Sequence, residues 1–158
     1  MQEVAEARVS AFKGSYEYSI DNKGRINIPA KLKKYVSSDA NDTFVVTRGF
    51  EKCVFVYPLD EWNTLEQSIR ALSPTNPQHR FFSRVLLQQA VESQLDGQSR
   101  ISIPKELLQF AGIDSEVLIL GVLEHIEVWN PVEYKNYLAS QENSYEDVAK
   151  TVLQNKQV

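Results

Sequence analysis

Polar and apolar residues alternate in short runs along much of this chain. Tyr16, Tyr18 and Ile20 are separated by Glu17 and Ser19, and Ile26 is separated from Ile28 by Asn27. A period of two predicts half-buried strands on either side of a turn at residues 21–25, a β-hairpin. After it come Pro29 and then Leu32, Tyr35 and Val36 at helical spacing, so a short helix is expected with the proline as first residue, where a missing N–H costs nothing. Residues 43–47 and 53–57 read as two further strands about a glycine-containing turn. The second half follows the same plan. A turn at residues 96–100 lies between apolar positions, a helix after Pro104 carries Leu107, Leu108 and Ala111 and stops at Gly112, and strands at 116–120 and 126–129 flank another glycine-containing turn. Further helices are expected from Pro58 to about Ala71 and from Pro131 to about Leu138. Ser73-Pro74-Thr75-Asn76-Pro77 breaks the chain before a linking helix with Phe81, Phe82, Val85 and Leu86 on one face. Tyr145, Val148, Ala149, Val152 and Leu153 form the apolar face of a C-terminal helix.

The two halves are copies. Ile20-Asp21-Asn22-Lys23-Gly24-Arg25-Ile26-Asn27-Ile28-Pro29 recurs as Leu95-Asp96-Gly97-Gln98-Ser99-Arg100-Ile101-Ser102-Ile103-Pro104, with five identities in ten positions. Later, Val54 aligns with Ile126, Val56 with Val128, and Trp62 with Tyr134. Each copy is β-β-α-β-β. A roughly 45-residue module of four short strands buries too little apolar surface to stand alone, so the two are expected to interleave their strands into one barrel. The fold class is α+β, with modules at 15–62 and 91–134, a helical linker at 63–90 and a helical tail at 135–158.

Composition narrows the class further. The chain has 158 residues, 42% of them apolar and 24% charged, values ordinary for a globular protein. No apolar run approaches the ~20 residues of a membrane helix, and no apolar segment of secretory type opens the chain. A cytoplasmic protein is expected, and the single Cys53 agrees with a reducing compartment. The net charge is −4, but its distribution matters more. Residues 22–38 hold five bases, Lys23, Arg25, Lys31, Lys33 and Lys34, and no acid, whereas residues 105–158 hold four bases against nine acids. One region can meet a polyanion; the other repels it.

With Phe12-Lys13-Gly14, the two D-x-x-x-R turns, Thr47-Arg48-Gly49-Phe50 and Val56-Tyr57-Pro58-Leu59-Asp60-Glu61-Trp62, the sequence resembles the MraZ transcriptional regulators over residues 12–137. The resemblance implies tandem SpoVT/AbrB-like swapped-hairpin domains, a ring-shaped homo-oligomer of eight or more subunits, association with the nucleoid, and binding to direct repeats in the promoter of the division and cell wall gene cluster. Two features depart from the family. Ser99 stands where the first turn has Gly24, so a different shape is expected for the second turn. Residues 1–11 precede the usual start, as a genuine extension or as the product of an upstream start codon.

Physical chemistry points to the first turn as the DNA contact. Phosphate affinity comes from the Lys and Arg that displace counterions, not from net charge. Gly24 allows a tight turn that holds Lys23 and Arg25 at a hairpin tip able to enter a major groove. Arg25 offers a bidentate contact to guanine, Asp21 orients it, and Lys31, Lys33 and Lys34 add backbone contacts if their helix faces the same way. The other reading makes each Asp–Arg pair only a structural bridge across its turn, worth ~0–1 kcal/mol when exposed. Asp96 and Arg100 lack surrounding lysines and are the weaker pair. Trp62, Phe81, Phe82 and Tyr145 are read as intrachain core before ring interface.

Catalysis has little support. Phosphate-binding loops, dinucleotide fingerprints and zinc-protease motifs are absent, the Asp60-Glu61 pair suits a helix N-terminus, and Cys53 lies in an apolar strand where inert thiols are common. His79 and His125 are too few for a metal site. No cofactor, metal or small-molecule substrate is expected. The alternative function is a protein-interaction module of the same fold whose basic segment meets an acidic partner.

Overall fold

Alternation and proline placement set the elements, but pairing between the repeats sets the fold. The computed structural model describes residues 10–155; the expectations for residues 1–9 and 156–158 lie outside the described residues. The first repeat contains β1 (Ser15–Ser19), β2 (Arg25–Asn27), α1 (Ala30–Lys33), β3 (Thr43–Arg48) and β4 (Cys53–Pro58). The second contains β5 (Val91–Gln94), β6 (Arg100–Ser102), α4 (Lys105–Ala111), β7 (Glu116–Val122) and β8 (His125–Trp129). Between them run α2 (Leu59–Arg70) and α3 (Pro77–Gln88), and α5 (Pro131–Ala139) and α6 (Tyr145–Gln154) follow.

β3 pairs with β4 and β7 with β8 as expected, but the strands that flank each D-x-x-x-R turn do not pair with each other; they exchange between the repeats, in line with the expected interleaving. β1 pairs antiparallel with β7 of the other repeat, and β2 pairs with β6. In the ladder between β2 and β6, Ile26 lies opposite Ile101, its own counterpart in the other copy, with Arg25 opposite Ser102 and Asn27 opposite Arg100. Backbone bonds of 2.9 Å from Ile28 N to Ser99 O and 2.8 Å from Ile103 N to Gly24 O extend the same symmetric pattern. The larger sheet, ordered β1-β7-β8-β4-β3-β5, is palindromic when written in repeat terms, with the equivalent strands β4 and β8 paired at its centre. Both centres therefore join equivalent strands of the two repeats. The reason for exchange is burial. Ile26, Ile28, Ile101 and Ile103 each retain 3% exposure or less and share one core with Phe44, Val46, Ile119 and Val128. Closing each hairpin on itself would leave that surface without a partner.

Other expectations shift in detail. Pro29, Pro58 and Pro104 stand just before the first helical residue, with extended ψ of 136°, 148° and 148°; Pro58 is the last residue of β4, and Pro29 and Pro104 follow β2 and β6 by two residues. Only Pro77 and Pro131 lie at a helix start, each behind an asparagine whose side chain caps the exposed amides. Gly112 ends α4 in the left-handed region, φ 66°, as expected. Gly121 does not make the turn between β7 and β8. It lies within β7, where a Cβ would collide with the backbone of Phe12 and Lys13, and Leu123 takes the positive φ of 60° in the turn. Among the aromatic residues read as core, Trp62 is buried with Val45 and Leu86 between α2, α3 and the sheet. Phe81 and Tyr145 instead stand 70% and 83% exposed, because α3 turns only Leu86 fully inward and α6 buries nothing.

Gly24 has φ 75°, and a Cβ there would come within 2.8 Å of the backbone carbonyl oxygen of Ile103, a residue whose amide bonds to Gly24 O at 2.8 Å. Ser99 tolerates φ 60° in the equivalent place. Gly24→Ala is therefore expected to cost ~1–3 kcal/mol of stability in urea unfolding, and Ser99→Gly to stay within ~1 kcal/mol of the parent. Equal losses from the two would contradict the close approach at Gly24.

Candidate nucleic-acid interface

The two D-x-x-x-R turns have one design. In the first, Asp21 Oδ1 accepts the backbone N–H of Lys23 and of Arg25, both at 2.9 Å, and Oδ2 accepts Arg25 Nε at 2.7 Å. In the second, Asp96 Oδ1 accepts from Gln98 N at 2.8 Å and Arg100 N at 2.9 Å, and Oδ2 accepts Arg100 Nε at 2.9 Å. Each turn is closed by a backbone pair, Gly24 N to Asp21 O and Asp21 N to Arg25 O, matched by Ser99 N to Asp96 O and Asp96 N to Arg100 O. The expectation of a different second turn is thus corrected. A side-chain carboxylate that organises its own backbone two and four residues on suffices to hold Ser99 in the left-handed region.

Interleaving sets the two turns side by side. Arg100 Nη1 lies 3.8 Å from Asp21 Oδ2, Asn27 Nδ2 donates to Gln98 O at 2.9 Å, and Lys33 Nζ donates to Ser99 Oγ at 2.8 Å. Lys33 therefore faces the turns, from α1 of the opposite repeat. Lys23 and Lys31 project into solvent, and Lys34 lies over the Tyr35 ring at 5.1 Å. Asn27, Gln98 and Ser99 were not legible as parts of this surface, because only the pairing of β2 with β6 brings them there.

The electrostatics follow from the clamps. Hydrogen bonds from the Arg25 amide above all, with the Arg25 side chain and the Lys23 amide, hold the Asp21 carboxyl below the ordinary carboxylate range. The Arg100 and Gln98 amides and the Arg100 side chain do the same for Asp96. Each arginine spends Nε on its aspartate. The terminal nitrogens of Arg25 have no other carboxylate within 4 Å among the described residues. The arrangement presents two fixed guanidinium groups, with Lys23 and Lys33 near them, to anything negatively charged.

Candidate catalytic groups are engaged elsewhere. Cys53 is buried against Phe55 and Trp129, and burial pushes its thiol well above the ordinary range. His79 Nδ1 accepts the Ser73 amide at 3.0 Å, and His125 stacks on Tyr57 at 4.9 Å. Among the described residues, no three His, Cys, Asp or Glu side chains gather to hold a metal, and no helix is long and apolar enough to cross a membrane.

A family model described as "MraZ protein, putative antitoxin-like" matches the chain twice, over residues 11–85 and 86–156, each match containing one D-x-x-x-R turn. The chain belongs to the MraZ family. It is 41% identical over 142 residues to a protein of Natranaerobius thermophilus named "Transcriptional regulator MraZ", covering 90% of this chain and 96% of the relative. A protein of the same name from Halothermothrix orenii is 43% identical over 138 residues, covering 87% and 94%. The double match of the MraZ family accords with the duplication read from the sequence and with the two-fold arrangement of the strands.

Because both aspartates have lowered folded-state values, their contribution to turn stability is present above the unfolded value of about 3.9 and is lost as pH falls through the lowered values. A carboxyl-carbon NMR titration is expected to place Asp21 and Asp96 below that value. Asp21 titrating at or above it would show that the clamp does not persist in solution.

Proposed function

We propose that this protein is a cytoplasmic, nucleoid-associated transcriptional regulator that binds double-stranded promoter DNA through the paired turns. What supports this reading most is that two aspartate-clamped arginines lie together on one surface with Lys23 and Lys33 beside them. The names of the MraZ relatives support the regulatory role. In this reading the structural bridge and the DNA contact are the same device. Asp21 fixes Arg25 by Nε, so little side-chain entropy is lost when Nη1 and Nη2 meet guanine in the major groove. Asp96 prepares Arg100 in the same way. Lys23, Lys31, Lys33 and Lys34 contact phosphates and set the register without reading bases. The acidic C-terminal third, residues 105–158, is repelled by the duplex and orients the protein on it.

The interleaved strands are read as the swapped-hairpin barrel, with modules at 15–62 and 91–134 joined by the helices of 63–90. One pair of turns covers few base pairs and grips weakly. Several copies in a ring-shaped homo-oligomer of eight or more subunits engage successive direct repeats upstream of the division and cell wall genes, and avidity supplies the rest. Repeat spacing then has to match the spacing of neighbouring turn pairs.

Fluorescence-anisotropy titration on a promoter duplex with direct repeats, over a series of salt concentrations, tests the reading. Arg25→Ala is expected to abolish preference for the promoter over scrambled DNA while the protein keeps its fold, and Arg100→Ala to weaken that preference less. Lys23→Ala is expected to weaken binding to both duplexes alike and to lower the slope of log affinity against log salt by about 1. Salt-independent binding, or undiminished promoter preference in the Arg25 variant, would overturn it.

A further inference from the structure

The two D-x-x-x-R turns share a backbone design but carry different side chains at their tips. Lys23 of the first turn corresponds to Gln98 of the second, and Gly24 to Ser99. Both tip residues hang from the same clamp, with Asp21 Oδ1 accepting the Lys23 amide at 2.9 Å and Asp96 Oδ1 the Gln98 amide at 2.8 Å. Each side chain therefore leaves its turn from an equivalent backbone position. The flanks differ in the opposite sense. Lys33 reaches the second turn and donates to Ser99 Oγ at 2.8 Å, whereas its counterpart Leu108 lies against the first turn, 3.3 Å from where a Cβ on Gly24 would stand. The first turn thus carries a lysine on its tip, and the second has a lysine at its side and a neutral amide on its tip.

That amide is free. Gln98 is exposed, and its Oε1 and Nε2 have no hydrogen-bond partner among the described residues. Its backbone is pinned on both sides, the N–H by Asp96 and the carbonyl oxygen by Asn27 Nδ2 at 2.9 Å. Only side-chain rotations remain to be lost on binding. Beside it, Gly97 has no heavy atom within 4 Å of the place a Cβ would occupy, so the tip is open on that side.

Chemistry selects what the amide meets. A phosphate offers acceptors alone and would engage half of the group, with no positive charge to hold it. In the major groove, adenine presents an acceptor at N7 beside a donor at N6, the complement of an amide's donor and acceptor. Guanine presents two acceptors, which suit Arg100. We infer, resting on the reading that the turns bind promoter DNA, that Gln98 is a specificity-determining residue that reads adenine beside the guanine met by Arg100. Nε2 donates to N7, and Oε1 accepts from the N6 amino group. Lys23, with donors only, does not share this role. β2 and β6 run antiparallel with equivalent residues opposite, so identical tips would present one pattern in two opposed directions, as a palindrome requires. Unequal tips read a box that has a direction.

A base-analogue scan of the promoter duplex tests this, with the adenines at one position of every repeat replaced together by 7-deazaadenine, which keeps base pairing and loses the N7 acceptor. Fluorescence anisotropy measures affinity for wild type, Gln98→Ala and Gln98→Glu, and circular dichroism checks the fold of each. At one adenine position the wild type is expected to lose about 10-fold or more in affinity. Gln98→Ala is expected to be insensitive there and to keep the wild-type slope of log affinity against log salt, because no charge is removed. Gln98→Glu, similar in size but without a donor, is expected to prefer cytosine to adenine at that position. A wild type that prefers the promoter yet tolerates the analogue at every position overturns the role of Gln98 and leaves DNA binding by the turns standing. So does a Gln98→Ala variant with the full wild-type penalty, or a Gln98→Glu variant that still prefers adenine. A wild type without promoter preference overturns both.

Discussion

The ladder between β2 and β6 is the constraint on which the rest of the molecule depends. It is three residues long on each side, and its middle pair, Ile26 opposite Ile101, joins a position in one repeat to the same position in the other. A self-paired hairpin would have left these isoleucines on two separate small cores. Crossing them places both sets in one core, closed on the far side by β4 against β8. The large sheet then contains strands from both repeats in symmetric order, and neither repeat can fold its β1 or β5 edge without the other. The cost is that a change in either copy is felt in both.

The same ladder fixes the chemistry of the surface above it. Each turn is stiffened locally by one aspartate, which satisfies two backbone amides and one guanidinium nitrogen. The turns are aligned with each other only by the crossing, through Asn27 to Gln98, Lys33 to Ser99 and the Ile28 and Ile103 amides. A surface that draws its rigidity from buried β-structure and its charge from clamped arginines is prepared for a ligand before that ligand arrives. In an acidic chain this local organisation matters more than the total charge, since screening confines electrostatic attraction to about 10 Å in ordinary salt.

Much of this was legible in the sequence. Duplication, the four-strand modules, the helices after each proline and the Asp–Arg turns all follow from periodicity and self-comparison. Interleaving of the two repeats was expected, but which strand pairs with which was not legible. Tyr16, Tyr18 and Ile20 read as half of a hairpin because alternation reports that a segment is a strand and says nothing of its neighbour; Tyr18, on an edge strand, proves more exposed than alternation implies. Ser99 was read through the usual glycine preference, which a two-pronged aspartate overrides. Gly121 was read as a turn residue, although its role is to let the segment at Phe12 pass close over β7. Phe81 and Tyr145 fit helical apolar faces, and periodicity does not distinguish a face covered by its own chain from one left open. The prolines were misplaced by one residue for a simpler reason, since ring geometry suits the end of a strand as well as the start of a helix.

Placing both turns on one face is the claim from which the functional reading follows. Amide hydrogen exchange of the full chain, measured with and without a promoter duplex, addresses it directly. The account predicts that residues 21–25 and 96–100 slow together at the same DNA concentration, with α6 unchanged. Slowing confined to α5 and α6, with both turns exchanging as they do without DNA, would contradict it.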